Sequence, residues 1–211
     1  MLTEDTSEYN YIYVAFLMTN TNIGRIIRFF THNQFSHVTL AFDRELSKMY
    51  SFSRYHVNSP FYGGFVEERP NRYLSDDMDV TVKICKLSVS DEEYQRICEE
   101  ISYFNANKRQ MLYNTPNAIL SIAKKRLKMK NTYTCLEFVS HLLRFTNVIA
   151  IKDLEHQLNK YIVYKGSFKD IAKWEQSYTN EDDYFMRRHV IRVVLDTIYH
   201  FQKIVVRLIH T

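Results

Sequence analysis

Glycine and proline are nearly missing from this chain, with four glycines and three prolines in 211 residues. Such scarcity excludes a linker-rich or low-complexity protein and predicts short connections. Pro60, Gly63, Gly64 and Pro70 all fall between Arg54 and Asp77. That stretch therefore reads as a long loop, with Phe61, Tyr62 and Phe65 folded onto the body. Cysteine is equally rare. Cys85, Cys98 and Cys135 are odd in number and widely spaced, which fits neither a disulfide framework nor paired zinc ligands. A reducing compartment and no metal or other cofactor are expected. A long uninterrupted apolar run is also lacking: Val190 to Ile209 is broken by Arg192, Asp196, His200, Gln202, Lys203 and Arg207, too many polar groups for a membrane span. Met1 to Glu8 is acidic and polar, where a secretory signal carries positive charge and then an apolar run. A cytoplasmic location is the expectation. The net charge of +4 is mild and dispersed, except at Lys124, Lys125, Arg126, Lys128 and Lys130. That cluster reads as a solvated helix face, and no nucleic-acid partner is expected.

Apolar and aromatic residues are plentiful, at 45% and 15% of the chain, enough for one core. Asn10 to Met18 reads as a strand apolar on both faces, hence central. Asn22 can cap a helix through Ile23, Ile26, Ile27 and Phe30. Alternation marks further strands at Ser36–Phe42, Met49–Ser53 and Val80–Leu87. Ser90 and Glu93 form a capping box for a helix that buries Cys98. A helix is predicted over Asn117–Leu127, another near Asp153–Leu158, a short strand at Tyr161–Tyr164 and a turn at Gly166. Glu181, Asp182 and Asp183 introduce a last helix of roughly thirty residues by the usual capping logic. Its apolar side is expected to pack on the domain or on a second copy more readily than on a membrane surface. The division is a domain over 1–178 and an amphipathic helix over 179–211.

The stretch Tyr133 to Phe145 repeats apolar residues at helical spacing, and Thr134 with Glu137 makes a capping box. Cys135 then falls at the first helical position, where free N–H groups and the helix dipole favour a thiolate nucleophile. A small buried hydrophobe also suits that position, as it suits Cys85 and Cys98. Thiol attack on a carbonyl needs a base, and histidine serves near neutrality. Among the eight histidines, His37 lies on a predicted strand beside small residues. Composition and spacing leave the pair Cys135 and His37 one guess among several.

Tyr11-Ile12-Tyr13-Val14, Phe35-Ser36-His37-Val38-Thr39-Leu40 with Asp43, Met49-Tyr50-Ser51-Phe52, Gly63-Gly64-Phe65-Val66 and Tyr133-Thr134-Cys135-Leu136-Glu137-Phe138-Val139 occur in that order. In this order and these contexts the chain resembles the papain-like NlpC/P60 superfamily in its circularly permuted branch. That branch includes the YiiX-like hydrolases and, more distantly, lecithin–retinol acyltransferase-like proteins. The resemblance spans Tyr11 to Leu143. It implies an α+β fold with permuted papain-like topology: an antiparallel sheet of about five strands packed on helices, plus the C-terminal helical tail. It further implies Cys135 as nucleophile, His37 as general base and Ser51 at the third, orienting position, where a serine hydroxyl brings no charge. The oxyanion would be held partly by the Cys135 N–H, with Tyr133 or Tyr13 supplying a substrate-binding hydroxyl. The implied activity is a cysteine hydrolase of amidase or peptidase type, working through a thioester on a peptide, amide, ester or lipid-like substrate. An acyltransferase of the lecithin–retinol type and a non-catalytic binding module on the same scaffold are the alternatives. Peripheral membrane contact or homodimer contact through the C-terminal helix completes the set of partners.

Overall fold

In the computed structural model, residues 10–19, 21, 24–25, 28–29, 32–120, 126–173 and 183–209 are described. Their architecture is α+β. A six-stranded antiparallel sheet has the order β4-β3-β2-β1-β5-β8, formed by β1 (Asn10–Leu17), β2 (His37–Ala41), β3 (Met49–Arg54), β4 (Gly63–Glu68), β5 (Thr81–Val89) and β8 (Ile162–Ser167). A short parallel pair, β6 (Leu112–Tyr113) with β7 (Thr132–Tyr133), stands apart from it. Five α-helices accompany the strands among the described residues: α1 (Asp91–Ala106), α2 (Thr115–Leu120), α3 (Cys135–Leu142), α4 (Ile151–Gln157) and α5 (Val190–Ile209). None is long and apolar enough to cross a membrane.

Both faces of the sheet are covered, which is why β1, paired with β2 and β5, is apolar on both sides. On one face, Phe16, Val38, Leu40, Phe52 and Phe65 join α1 and α3 in the larger core. Its centre is aromatic: Phe138 meets Phe52, Phe65 and Phe104 with ring centroids 5.2 to 5.7 Å apart, in the tilted and edge-on geometries that suit ring quadrupoles. On the other face, Leu17, Ala41, Met49 and Ile84 pack with Tyr73, Leu74 and Phe168. Arg96 on α1 ties the two helices of the larger core together, donating to the carbonyl of Leu142.

Several expectations are corrected. The segment 54–77 is not a loop throughout; it contains β4 and a 3₁₀ turn at Pro70–Arg72. Gly64 serves close approach rather than a turn, since a Cβ there would lie 2.2 Å from the Tyr55 hydroxyl and 2.5 Å from the Met111 carbonyl. Gly166 likewise lies within β8, opposite Val82. The helix predicted over 117–127 starts earlier, and residues 126–128 are not helical. The final helix spans 20 residues rather than thirty. Most of the helix predicted from Asn22, Lys124 and Lys125 of the basic cluster, and the boundary proposed at 178 lie outside the described residues.

Phe138 is fully buried at the meeting of helix and sheet. Phe138→Ala is expected to lower unfolding free energy by about 3–5 kcal/mol, read from urea denaturation; a loss below roughly 1 kcal/mol would remove this ring cluster as the main support of α3.

Candidate active site

Local chemistry fixes the start of α3. Thr134 Oγ1 accepts from the Glu137 N–H at 3.1 Å, and Glu137 Oε2 accepts from the Thr134 N–H at 2.8 Å, a complete capping box. The Glu137 carboxylate also accepts from Asn117 Nδ2 at 2.6 Å and from Asn114 Nδ2 at 3.3 Å. The helix start is thereby pinned to the segment that opens α2. Cys135 is the first residue of α3 and 7% exposed.

His37 opens β2, and strand alternation sends it to the face opposite the α3 core. β2 and β3 pair at Leu40↔Tyr50 and Ala41↔Met49. The ladder does not reach His37, and α3 contacts both strands. At that opening the His37 ring comes close enough to Cys135 for the two side chains to interact electrostatically. Two acceptors meet the ring at Nε2, which donates to Glu68 Oε2 at 3.0 Å and lies 3.3 Å from Ser51 Oγ.

Glu68 is the residue that sequence reasoning missed. It ends β4, opposite Met49 in register, which turns it to the same side as Ser51 and His37. The carboxylate is wholly buried and fully used: besides His37 it accepts from Tyr73 OH at 2.7 Å and Arg72 Nη1 at 3.1 Å. Burial pushes the Glu68 pKa up, but the His37 charge and hydrogen bond, with Arg72 and Tyr73, outweigh it and hold the carboxyl at about 2. Burial pushes His37 down, yet the attraction of Glu68 and of Cys135 and the bonds to both raise the ring to about 10. Ser51 keeps its place beside the imidazole as a second, uncharged acceptor.

A narrow cleft of about 60 Å³ opens beside Cys135, lined among others by Asn33, Ser36, Tyr113, Asn117, Ile151 and Lys152. Ser36 is steadied by Thr19, hydroxyl to hydroxyl at 2.8 Å. Asn33 is 8% exposed; its Oδ1 accepts from the Phe35 N–H at 3.2 Å, and its Nδ2 has no partner among the described residues. The two tyrosines expected near substrate lie elsewhere. Tyr133 packs on Phe52 and Phe104 in the aromatic core, and Tyr13 packs at the edge of the second core, with Glu45 and Asp43 nearby. The tyrosine at the cleft is Tyr113, the register partner of Tyr133 across β6 and β7. Its hydroxyl is raised well above the usual range by burial and by the neighbouring Cys135.

The other cysteines have different settings. Burial pushes Cys85 up to about 12, and Cys98 is also raised, first by burial. Among the described residues no cluster of acidic, histidine and cysteine side chains could hold a metal ion. Comparison of the sequence with models of known protein families finds no match, and comparison with characterised proteins finds none either.

The charge pair sets a pH window. The stabilisation tied to the depressed Glu68 pKa is complete above 4.5 and is lost as pH falls toward about 2. That tied to the raised His37 pKa is complete below 6.5 and is lost as pH rises through about 10. In an NMR titration, His37 is expected to stay protonated well above 6.5 and to release its proton at lower pH in Glu68→Gln. A wild-type ring titrating like a free histidine would disprove the coupling.

Proposed function

We propose that the protein is a cysteine hydrolase on a permuted, papain-like NlpC/P60-type scaffold, acting on an amide or ester through a thioester. What supports this reading is that the His37 ring interacts both with Cys135 and with the buried Glu68. A nucleophile, a base and a charged group that orients the base form the arrangement that activates a thiol.

In the proposed reaction Cys135 attacks as the thiolate of an ion pair, its proton already on His37, and Glu68 holds that imidazolium. The sulfur bonds to the substrate carbonyl carbon while the C=O π pair moves to oxygen. Two donors suit that oxyanion: the backbone N–H of Cys135 at the helix start and, in the same cleft, the Nδ2 of Asn33, which has no partner among the described residues. Collapse breaks the bond to the leaving amine or alcohol, which takes the proton from His37, and a thioester remains on Cys135. Water then gives a proton to the now neutral His37 and adds through oxygen to the thioester carbonyl carbon, and collapse breaks the C–S bond, releasing the carboxylic acid and restoring the thiolate–imidazolium pair. Arg72, Glu68 and the imidazolium together carry one surplus positive charge, which favours negative charge developing at the sulfur and the oxygen. The size of the cleft suits a small acyl group beside the sulfur, with the rest of the substrate outside. The acyltransferase alternative differs only in the acceptor that takes the acyl group.

With p-nitrophenyl acetate, intact-mass spectrometry is expected to show one acetyl group on Cys135, absent from Cys135→Ala. His37→Ala and Glu68→Gln should slow acylation by roughly 10²–10⁴-fold, and Asn33→Ala by about 10²-fold or more. Iodoacetamide near neutral pH should modify Cys135 ahead of Cys85 and Cys98. Equal labelling of the three thiols, or acetylation elsewhere, would refute the assignment.

A further inference from the structure

The C-terminal helix α5 is turned the opposite way from the usual amphipathic helix. Its polar side faces the body. His200 is wholly buried and donates from Nε2 to the Tyr113 carbonyl at 2.9 Å. Arg207 donates to the carbonyls of Asn131 at 2.7 Å and Gln110 at 2.6 Å, and Asp196 is buried on the same side. Ahead of the helix, Arg188 donates to His56 Nε2 at 3.0 Å, and Asn58 donates to the Arg188 carbonyl at 2.7 Å. The expectation that the apolar side would pack on the domain is thus corrected. Directional bonds from the polar side, with Ile204 buried against Leu112 and Met129, fix the helix, and most of its apolar residues are left outward.

That outward side carries Val190, Val194, Ile198, Val205, Leu208 and Ile209, between 41% and 74% exposed. At 1.5 Å per residue the stripe runs about 30 Å, far beyond the scattered exposed hydrophobes of an ordinary surface. Beside it, along the edge marked by Tyr199, lies a groove of about 850 Å³ lined by Lys108, Arg109, Arg188 and Lys203, with Glu67 on its wall. Glu67 is paired with Lys48 at 3.2 Å, which leaves the groove strongly positive. Arg72 also lines it but is committed to Glu68.

We propose that α5 is a membrane-surface element: it lies in the plane of an anionic bilayer, its apolar side in the acyl–headgroup boundary and the cations of the groove on lipid phosphates. An apolar stripe bordered by a basic rim is the pattern of an interfacial helix. The rim also decides against a second copy as the occupant. A two-fold pairing of these helices would bring the basic groove of one protomer beside that of the other and set like charges together. The proposal does not depend on the thiol chemistry, and Cys135→Ala leaves it intact.

Vesicle flotation of the full chain tests it, with phosphatidylcholine vesicles compared with equimolar phosphatidylcholine and phosphatidylglycerol. The protein is expected to float with the anionic vesicles and to come off as salt is raised. Ile198→Glu, at an exposed position, should abolish flotation, and Lys108→Glu with Arg109→Glu should weaken it by roughly tenfold or more. Circular dichroism of each variant should match the parent. Equal binding to both vesicle types, or to neither, would overturn the proposal. So would light scattering that finds a dimer, broken by Ile198→Glu, with no flotation.

Discussion

A carboxylate without access to water governs this molecule. Transfer of Glu68 from water to the interior is costly unless charge and hydrogen bonds compensate, and here an imidazole, a guanidinium and a phenol all converge on it. Such a buried ionic cluster adds little net stability over an apolar replacement. Removal of a single partner is another matter and costs about 3–5 kcal/mol, because the remaining charge is stranded. The cluster therefore acts as a register lock. His37 belongs to β2, Ser51 to β3, Glu68 to β4 and Arg72 with Tyr73 to the turn after it, and a slip of one residue in any strand would turn a charge into the core.

The same lock serves the proposed chemistry. The bond at Nε2 fixes the imidazole, while the capping box and the two asparagines fix the helix start that carries Cys135. Neither residue relies on a loop for its position. The proposed nucleophile and base thus come from rigid elements whose relative placement is set by the aromatic packing of Phe138 against Phe52 and Phe65.

How much of this can be read in the sequence depends on the range of the interaction. The capping box at Thr134 and Glu137 involves neighbours in the chain, and it stands as the pattern predicts. The alternation around His37 and the apolar faces of β1 are similarly local. Glu68 was hidden because its role arises from the pairing of β4 with β3, and because Gly63 and Gly64 at the strand's start mimic turn signals. Tyr133 attracted notice through proximity in sequence to Cys135, whereas the fold brings its ladder partner Tyr113 to the cleft. Periodicity revealed that α5 has an apolar side; it carried no information on which way that side points. His200 and Arg207 decided that through bonds to carbonyls some 87 and 76 residues away in the chain.

Tyr184, just ahead of α5, has its ring 4.2 Å from the Arg72 guanidinium and its hydroxyl 2.9 Å from Arg54 Nη2. It covers the Arg72 guanidinium, whose side chain is only 3% exposed. With water kept away, the guanidinium acts on Glu68 through a medium of low dielectric, so the grip of Glu68 on the imidazole depends in part on a ring from a distant stretch of the chain. A loss of order ahead of α5 would therefore be felt at His37 without any strand having moved.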